Sequence, residues 1–376
     1  MAQAKIRGIK ALSGHSESTD LTNDVNGGPS GIGIATAAGK AAFWDMMGAD
    51  PSLKIIAIEG EFALTSGHSQ EFKTQAVAQR VGKRLRVLMS YNNAGIDDEL
   101  IGSIVKEDTY KIEDQWSSYG WNVLKLDDAT DYDQVVASLK VMEDWDISDR
   151  RPMIVIGKTL KGYWPGAVDG KLPGDINQVK DHASHAYGMP MNGEYFQALA
   201  KSFENKYGVK FDGIYDGPVS NTGEKFIQLK TNIDIIMSVL EKKGIGKWLA
   251  NKLVEIGDKV NDNLSLRVDT QKDPFQDERL LVKNLPSESK DISVENPVTG
   301  EKKDIKITLF EKPGANKGTR RAISEIIKWA NYVTDNRFVI AAADLAESIN
   351  VDGGSLWGHY DPVAVSYTHL TLPTKA

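Results

Sequence analysis

The sequence predicts an α/β protein whose first half is a parallel sheet with helices on both faces. Short apolar stretches typical of strands alternate in this half with longer stretches of helical periodicity, which is the pattern of strand–helix–strand crossovers. A glycine loop at residues 27–33 precedes the first predicted helix, and polar turns follow two of the predicted strands. Right-handed crossovers place such turns at the C-terminal edge of the sheet.

Each element of this half is predicted from local pattern. A glycine turn opens the first helix, and the strands are short apolar runs without helical periodicity. The strand at 54–58 is expected to be buried. The predicted elements, in chain order, are helix 31–47, strand 54–58, helix 69–83, strand 86–90, strand 121–126, helix 132–145 and strand 153–156.

The second half changes in character. Residues 161–188 are rich in Gly, Pro, Asp and His, which indicates a long ordered loop. The polar stretch 262–318 is predicted to be an interdomain connection with a hairpin at 291–310. The remaining predicted elements are helix 194–206, helix 228–260, helix 319–333, strand 337–342 and the turn Ala343-Asp344-Leu345.

These elements predict three regions and a tail. Residues 1–191 form the first domain, 192–317 a helical and irregular connection, and 318–363 the beginning of a second α/β domain. One helix and one strand cannot bury a domain-sized core, and residues 364–376 lack periodicity. We therefore expect a fragment that lacks both native ends and carries a non-native tail after 363.

Composition excludes several classes of function. The net charge of -7 and the pI near 5.5, without a basic stripe, argue against a nucleic-acid partner. The absence of cysteine excludes disulfides and thiolate chemistry. No apolar stretch approaches the length of a membrane span. The composition predicts a soluble cytoplasmic protein without a membrane or nucleic-acid partner.

Two polar turns suggest a metal site. Glu59 follows one predicted strand and Asn92 follows the next, so adjacent parallel strands would bring both to the same edge. Mg²⁺ prefers about six oxygens at roughly 2.1 Å, and a carboxylate, a carboxamide, a main-chain carbonyl, water and a diphosphate would supply them. Ala94 is the expected source of the main-chain oxygen. Taken alone, a capping glutamate and a turn-forming asparagine explain the pair as well.

The glycine loop is the third feature. Gly28, Gly31 and Gly33 allow a close approach of the backbone, and the amides at a helix start suit an anion. A structural turn is an equally good interpretation. A dinucleotide-binding fingerprint is disfavoured because the loop does not follow a strand within a compact βαβ unit.

In this order the three features resemble the diphosphate-binding domain of thiamine-diphosphate enzymes, most closely the transketolase family. That family has Gly-Pro-Leu-Gly-Gln-Gly, Gly-Asp-Gly-Glu and Asn-x-Ile-x-Ile-Asp. The corresponding segments here are Gly28-Pro29-Ser30-Gly31-Ile32-Gly33, Ile58-Glu59-Gly60-Glu61 and Asn92 to Asp97, with further similarity at Gly14-His15-Ser16-Glu17, Lys158-Thr159 and Ala343-Asp344-Leu345. The resemblance covers roughly residues 14–191 and 318–350.

The resemblance implies a role for each matching residue. Glu59, Asn92 and the Ala94 carbonyl would hold Mg²⁺ (or Ca²⁺), and Asn92 would also contact the cofactor. The other implied cofactor-binding residues are Gly28 and Ser30 on the aminopyrimidine side, Gly60 and Glu61 near the diphosphate, and Asp344 in the pyrimidine-binding domain. His15 would be catalytic, because an imidazole can move protons at sugar hydroxyls.

Three departures from the family pattern bear on activity. Glu59 stands where the family has aspartate. The family's His-Gly-Ala-Pro-Leu appears here as Tyr187-Gly188-Met189-Pro190-Met191, so either His185 takes over the catalytic histidine's role or that role is lost. The glutamate that activates the cofactor lies beyond Asp344 in the family, past the end of this chain. The fragment is therefore expected to be inactive alone.

The implied function is transfer of a two-carbon ketol unit between phosphosugars by a homodimer that uses thiamine diphosphate. One alternative is a homodimeric 2-oxo-acid (pyruvate) dehydrogenase E1 component, acting on a 2-oxo acid. Lys158 to Tyr163 and Gln178-Val179-Lys180 favour it. Another is a non-catalytic relative or a fragment that cannot bind the cofactor.

Overall fold

The computed structural model describes most of the chain. The described residues are 24–25, 31–78, 80–96, 111–146, 148–186, 190–217, 219–259, 266, 269, 271–295, 300–342, 348–351, 354, 356 and 369–371. They form two compact units. The first unit comprises Met1–Ser90, Lys111–Gly157 and Asn263–Ala376, and the second comprises Tyr91–Tyr110 and Lys158–Asp262.

The first unit is built on a four-stranded parallel sheet in the order β1-β2-β4-β3. Helices precede, connect and follow its strands. Its elements are α1 (Ile32–Met46), β1 (Ile55–Gly60), α2 (Gly67–Ala78), β2 (Leu85–Tyr91), α3 (Ile112–Ser118), β3 (Asn122–Leu126), α4 (Tyr132–Glu143) and β4 (Met153–Lys158). The predicted fold class is confirmed, since this sheet is the one that the alternating pattern predicts.

Burial within the sheet differs from strand to strand. The first five residues of β4 are buried, as expected for a strand between two neighbours. The strand at 54–58 was predicted to be buried, and this prediction was wrong for one of its faces. The side chains of β1, which lies at the edge of the sheet, alternate between buried and exposed. Ala57 is buried, whereas Ile56 and Ile58 are 58% and 76% exposed.

Two helix boundaries also differ from prediction. The helix expected over 69–83 ends at Ala78, and Arg80 (φ 51°) introduces a short 3₁₀ turn at Val81–Lys83. A single helix was expected over 228–260, but the structure has two helices there, α7 (Thr222–Lys242) and α8 (Ile245–Gly257). They are separated because Gly244 between them adopts a left-handed φ of 69°.

The second unit contains the predicted loop and these helices. The loop at 161–188 carries a short hairpin, β5 (Lys171–Leu172) with β6 (Ile176–Asn177), and a short helix, α5 (His182–Ala186). Helix α6 (Glu194–Tyr207) confirms the predicted helix at 194–206. Among the described residues, no helix combines the length and apolar character that crossing a bilayer requires.

The predicted hairpin at 291–310 is present in the first unit as β7 (Lys290–Glu295) and β8 (Lys302–Ile307). Helix α9 (Thr319–Val333), also predicted, packs against it. Their shared core contains Ile292, Val294, Ile307, Leu309, Trp329, Val333 and Leu356. Strands β9 (Ile340–Ala342) and β10 (His369–Thr371) pair in parallel.

A buried ion pair ties α1 to the sheet. Arg84, at the start of β2, is completely buried, and its Nε donates to Asp45 Oδ1 at 2.5 Å. The same guanidinium donates to the carbonyls of Asp50 at 2.7 Å and Leu53 at 3.1 Å, and to that of Ala49. The three carbonyl contacts bond the chain that connects α1 to β1, which fixes where β1 begins.

Lys73 is buried between α2 and α3 without a charged partner. Its Nζ donates to Gln70 Oε1 at 3.1 Å and Gln115 Oε1 at 3.0 Å and lies 4.7 Å from the centre of the Trp116 ring. No carboxylate within the described part of the chain pairs with it. Burial lowers the pKa of Lys73 from 10.5 to about 8.

Lys73→Met is expected to remove a pH dependence of stability. Between pH 8 and 10.5 the unfolded chain binds more protons at Lys73 than the folded protein, so the free energy of unfolding rises with pH across that window. The contribution is on the order of 3 kcal/mol. Urea unfolding of both proteins at pH 7.5 and pH 10.5 measures it. Parallel pH profiles of the two proteins would contradict the assignment.

Candidate functional site

The first part of the candidate site lies where β1 ends. Parallel pairing aligns Glu59 with Met89 and Gly60 with Ser90. The Glu59 carboxylate accepts the Gly60 amide at 3.3 Å, and the Glu61 amide donates to the Ser90 carbonyl at 3.4 Å. An ideal Cβ on Gly60 would meet none of the described residues within 4 Å. A half-buried carboxylate therefore stands beside a bare backbone with open space around it.

The second part is the turn that follows β2. Asn92 Oδ1 accepts the Ala94 amide at 3.0 Å, which closes an Asx turn. Asn93 adopts a left-handed φ of 52°, and its Oδ1 is buried without a partner among the described residues. Ala94 and Gly95 are buried. The turn thus gathers two carboxamides and a buried main chain.

The chain after β4 holds this turn in place. The Thr159 amide donates to the Tyr91 carbonyl at 2.8 Å, and Lys161 Nζ donates to the Gly95 carbonyl. Sequence reasoning gave neither Lys161 nor Asn93 a site role. The Lys-Thr-Leu-Lys sequence at 158–161 was the available indication for Lys161, whereas nothing in the sequence reveals that an Asn93 oxygen is unpartnered.

The predicted site residues are distributed as follows. Glu59, Gly60 and the buried Glu61 lie in the first unit, and Asn92 and Ala94 in the second. His185 lies on α5 in the second unit, where its side chain is exposed. The other predicted positions, His15, Gly28, Ser30 and Asp344, lie outside the described residues. The structure therefore groups the predicted residues into the end of β1 and one turn after β2.

The end of the glycine loop packs tightly against the chain after the acidic turn. Gly31, the N-cap of α1, has a φ of 84°. A Cβ there would lie 2.6 Å from Ser69 Oγ and 2.7 Å from the Ala63 carbonyl oxygen. Ser69 Oγ lies 2.9 Å from Ser66 Oγ, so this neighbour is itself held in a hydrogen-bonded cluster. Glycine is therefore required at position 31, because the backbone is left-handed and because no space is left for a Cβ atom.

Gly31→Ala is expected to lower the free energy of unfolding by at least about 2 kcal/mol, because a left-handed alanine is strained and its Cβ overlaps buried atoms. Gly33→Ala is the matched control, since nothing lies within 4 Å of its Cβ position in α1. It should be neutral or stabilising by up to about 1 kcal/mol. Urea unfolding compares them, and equal stability of the two variants would show that the packing at Gly31 is unimportant.

The donor atoms suit a hard divalent cation. No cluster of three His, Asp or Glu side chains that could hold a metal occurs in the described ranges. The predicted ligands are instead one carboxylate, one carboxamide and one main-chain carbonyl, which are oxygen donors of the type that Mg²⁺ and Ca²⁺ prefer. Asn93 Oδ1, in the same turn, is a further oxygen that is buried without a partner among the described residues. The residues present therefore fit such a cation.

Comparison with known proteins points to one family. Residues 5–185 match the family model described as transketolase, thiamine diphosphate binding domain. The transketolase of Halalkalibacterium halodurans is 24% identical over 206 residues, which cover 53% of this chain and 27% of that protein. Transketolase 1 of Candida albicans is 26% identical over 210 residues, covering 53% of this chain and 28% of that protein.

Solved structures share the fold. Transketolase from Leishmania mexicana superposes with a TM-score of 0.53 at 16% identity, covering 93% of this chain and 44% of that chain. A Pichia stipitis transketolase mutant, described as a complex with xylulose 5-phosphate, gives a TM-score of 0.53 at 17% identity, covering 96% of this chain and 47% of that chain.

These matches leave much of each relative uncovered. The chain spans about a quarter of the length of the curated relatives, at 24–28%, and under half of the solved chains. The family model and the sequence relatives indicate the same family, and the fold agrees with both. Over residues 5–185 the chain is similar to the thiamine-diphosphate-binding domain of the transketolase family.

Proposed function

We propose that the chain carries the diphosphate- and metal-binding part of a transferase that moves a two-carbon ketol unit between phosphosugars. One observation supports this most directly. The family match at 5–185 contains both the end of β1, with Glu59 and Gly60, and the Asx turn after β2, with Asn92 and Ala94.

In this proposal Glu59, Asn92 and the Ala94 carbonyl bind Mg²⁺ (or Ca²⁺), and the cation binds the diphosphate. The Glu59 carboxylate, which accepts the Gly60 amide at 3.3 Å, would supply a charged oxygen to the cation. The Gly60 amide would be available to donate to the diphosphate. Gly60 suits this role because no side chain fills the space beside it.

The remaining predicted residues act on the cofactor's organic part and on the substrate. Bound thiamine diphosphate supplies the nucleophilic carbon that takes up the ketol unit. Gly28 and Ser30 contact its aminopyrimidine side, Glu61 lies near the diphosphate, and Asp344 belongs to the pyrimidine-binding domain. His15 and His185 hold or move protons at the sugar hydroxyls.

Substrates and assembly are also part of the proposal. Phosphosugars are inferred from the family and from the Pichia stipitis complex with xylulose 5-phosphate. A homodimer is proposed from the family resemblance. A cytoplasmic location is proposed from the composition. The reported relatives are transketolases, so the comparisons do not favour the 2-oxo-acid dehydrogenase alternative.

Enzyme assays with thiamine diphosphate and Mg²⁺ test the reaction on a version extended to the length of the curated relatives, because the chain alone is expected to be inactive. Ketol transfer from xylulose 5-phosphate to ribose 5-phosphate is the expected result. Decarboxylation of pyruvate with an artificial electron acceptor, without ketol transfer, would overturn the proposal in favour of the E1 alternative. A melting temperature that saturating thiamine diphosphate and Mg²⁺ do not raise would indicate a non-catalytic relative.

A further inference from the structure

Asn93 carries an oxygen that the described structure leaves unused. Its Oδ1 is buried and accepts no hydrogen bond from any residue in the described ranges. The neighbouring Asn92 Oδ1, by contrast, accepts the Ala94 amide at 3.0 Å. The two consecutive carboxamides therefore differ in their contacts. The Asn92 oxygen closes the turn, whereas the Asn93 oxygen does not.

An unpartnered buried acceptor is costly. Leaving such an oxygen unsatisfied costs about 1–3 kcal/mol, and a ligand that it binds would remove this cost. Asn93 also holds a left-handed φ of 52°, a conformation that asparagine tolerates better than most residues. The backbone strain and the unsatisfied oxygen occur in the same residue, at the turn that carries the proposed metal ligands Asn92 and Ala94.

The chemistry of the oxygen limits what it can bind. A carboxamide oxygen accepts hydrogen bonds or ligates a cation. The oxygens of a diphosphate are themselves acceptors, so Asn93 Oδ1 cannot bind them directly. A hard cation prefers oxygen ligands of this type.

We infer that Asn93 Oδ1 is an additional ligand of the divalent cation and biases the site toward Ca²⁺. The inference rests on the proposed function, whose metal it concerns. An extra protein oxygen raises the coordination number, which Ca²⁺ accepts at six to eight ligands and Mg²⁺, with its strict octahedron and retained waters, does not.

Asn93→Gly tests the inference, because glycine keeps the left-handed backbone while it removes the carboxamide. Calorimetric titration of Ca²⁺ and of Mg²⁺ into the protein with saturating thiamine diphosphate gives both affinities, after subtraction of titrations into the cofactor alone. We expect the affinity for Ca²⁺ to fall at least about 10-fold and that for Mg²⁺ to fall less than about threefold. Unchanged Ca²⁺ affinity would overturn the inference.

Asn336→Gly is the matched control. Asn336 shares the left-handed φ, at 59°, and also has a buried Oδ1 without a described partner, but it follows α9 and lies in the other unit. Its replacement should leave both cation affinities unchanged. If both variants lost the same cation affinity, the Asn93→Gly effect would come from a general destabilisation of the fold. That result would overturn the inference.

A second variant covers the case in which Asn93→Gly does not fold. Asn93→Asp keeps the shape and turns the ligand into a carboxylate, so Ca²⁺ affinity should rise at least about threefold. A fall would overturn the inference. Wild-type protein that binds neither cation with the cofactor overturns the proposed function as well, whereas normal wild-type binding with an unaffected Asn93→Gly variant overturns the Asn93 assignment alone.

Discussion

Glu59→Ala is expected to abolish metal-dependent binding of thiamine diphosphate. Glu59 is the one carboxylate in the proposed ligand set, and without it the cation is held only by neutral oxygens while it faces an anionic diphosphate. Changes in the surroundings of metal ligands alone cost 10–100-fold in affinity, so loss of the ligand should cost at least about 100-fold. Calorimetric titration of thiamine diphosphate at saturating Mg²⁺ measures the loss.

Two controls separate this effect from a general charge effect. Glu143→Ala removes an exposed glutamate at the end of α4 and should leave the affinity unchanged within twofold. Glu59→Asp introduces the residue that the family has at this position and should retain Mg²⁺-dependent binding. Undiminished affinity in the Glu59→Ala variant would contradict the assignment of Glu59 as a ligand.

Arg84→Met is expected to lower the free energy of unfolding by about 3–5 kcal/mol, because it leaves the buried Asp45 carboxylate without its partner. The substitution also removes the hydrogen bonds to the carbonyls of Asp50 and Leu53, at 2.7 and 3.1 Å. Urea unfolding at pH 7 measures the loss.

Neutralising the unpaired Asp45 carboxylate tests whether that charge causes the loss of stability in the Arg84→Met variant. Adding Asp45→Asn to the Arg84→Met variant should recover at least about 1 kcal/mol, because the buried charge is then gone. Arg151→Met, which removes a largely exposed ion pair with Asp149, should cost less than about 1 kcal/mol. An Arg84→Met variant as stable as Arg151→Met would contradict the structural role of Arg84.

Much of the fold could be predicted because strand and helix patterns are local. Helix α9 was predicted at its observed bounds. The parallel direction of the strands follows from the alternation of apolar runs with helices. The exposed face of β1 could not be predicted, because an apolar run does not reveal whether its strand lies at an edge. The Gly244 break was missed because helical periodicity continues on both sides of it.

The positions of the proposed ligands were predictable where the end of a strand defines them. Glu59 and Gly60 are the last residues of β1 and pair with Met89 and Ser90, and Asn92 directly follows β2. The role of Lys161 depends on a contact across 66 residues to the Gly95 carbonyl, which no local pattern encodes. All the assigned site roles stay predictions, and His15, Gly28, Ser30 and Asp344 lie outside the described residues.

Thiamine diphosphate titrated into the protein by calorimetry, with Mg²⁺ and then with the cation removed by a chelator, tests the proposed metal and diphosphate site. The proposed site predicts saturable binding with Mg²⁺ that weakens at least about 100-fold without it, because the cation links Glu59, Asn92 and Ala94 to the diphosphate. Binding that is absent with Mg²⁺, or that is equally tight after chelation, would contradict the proposed metal and diphosphate site.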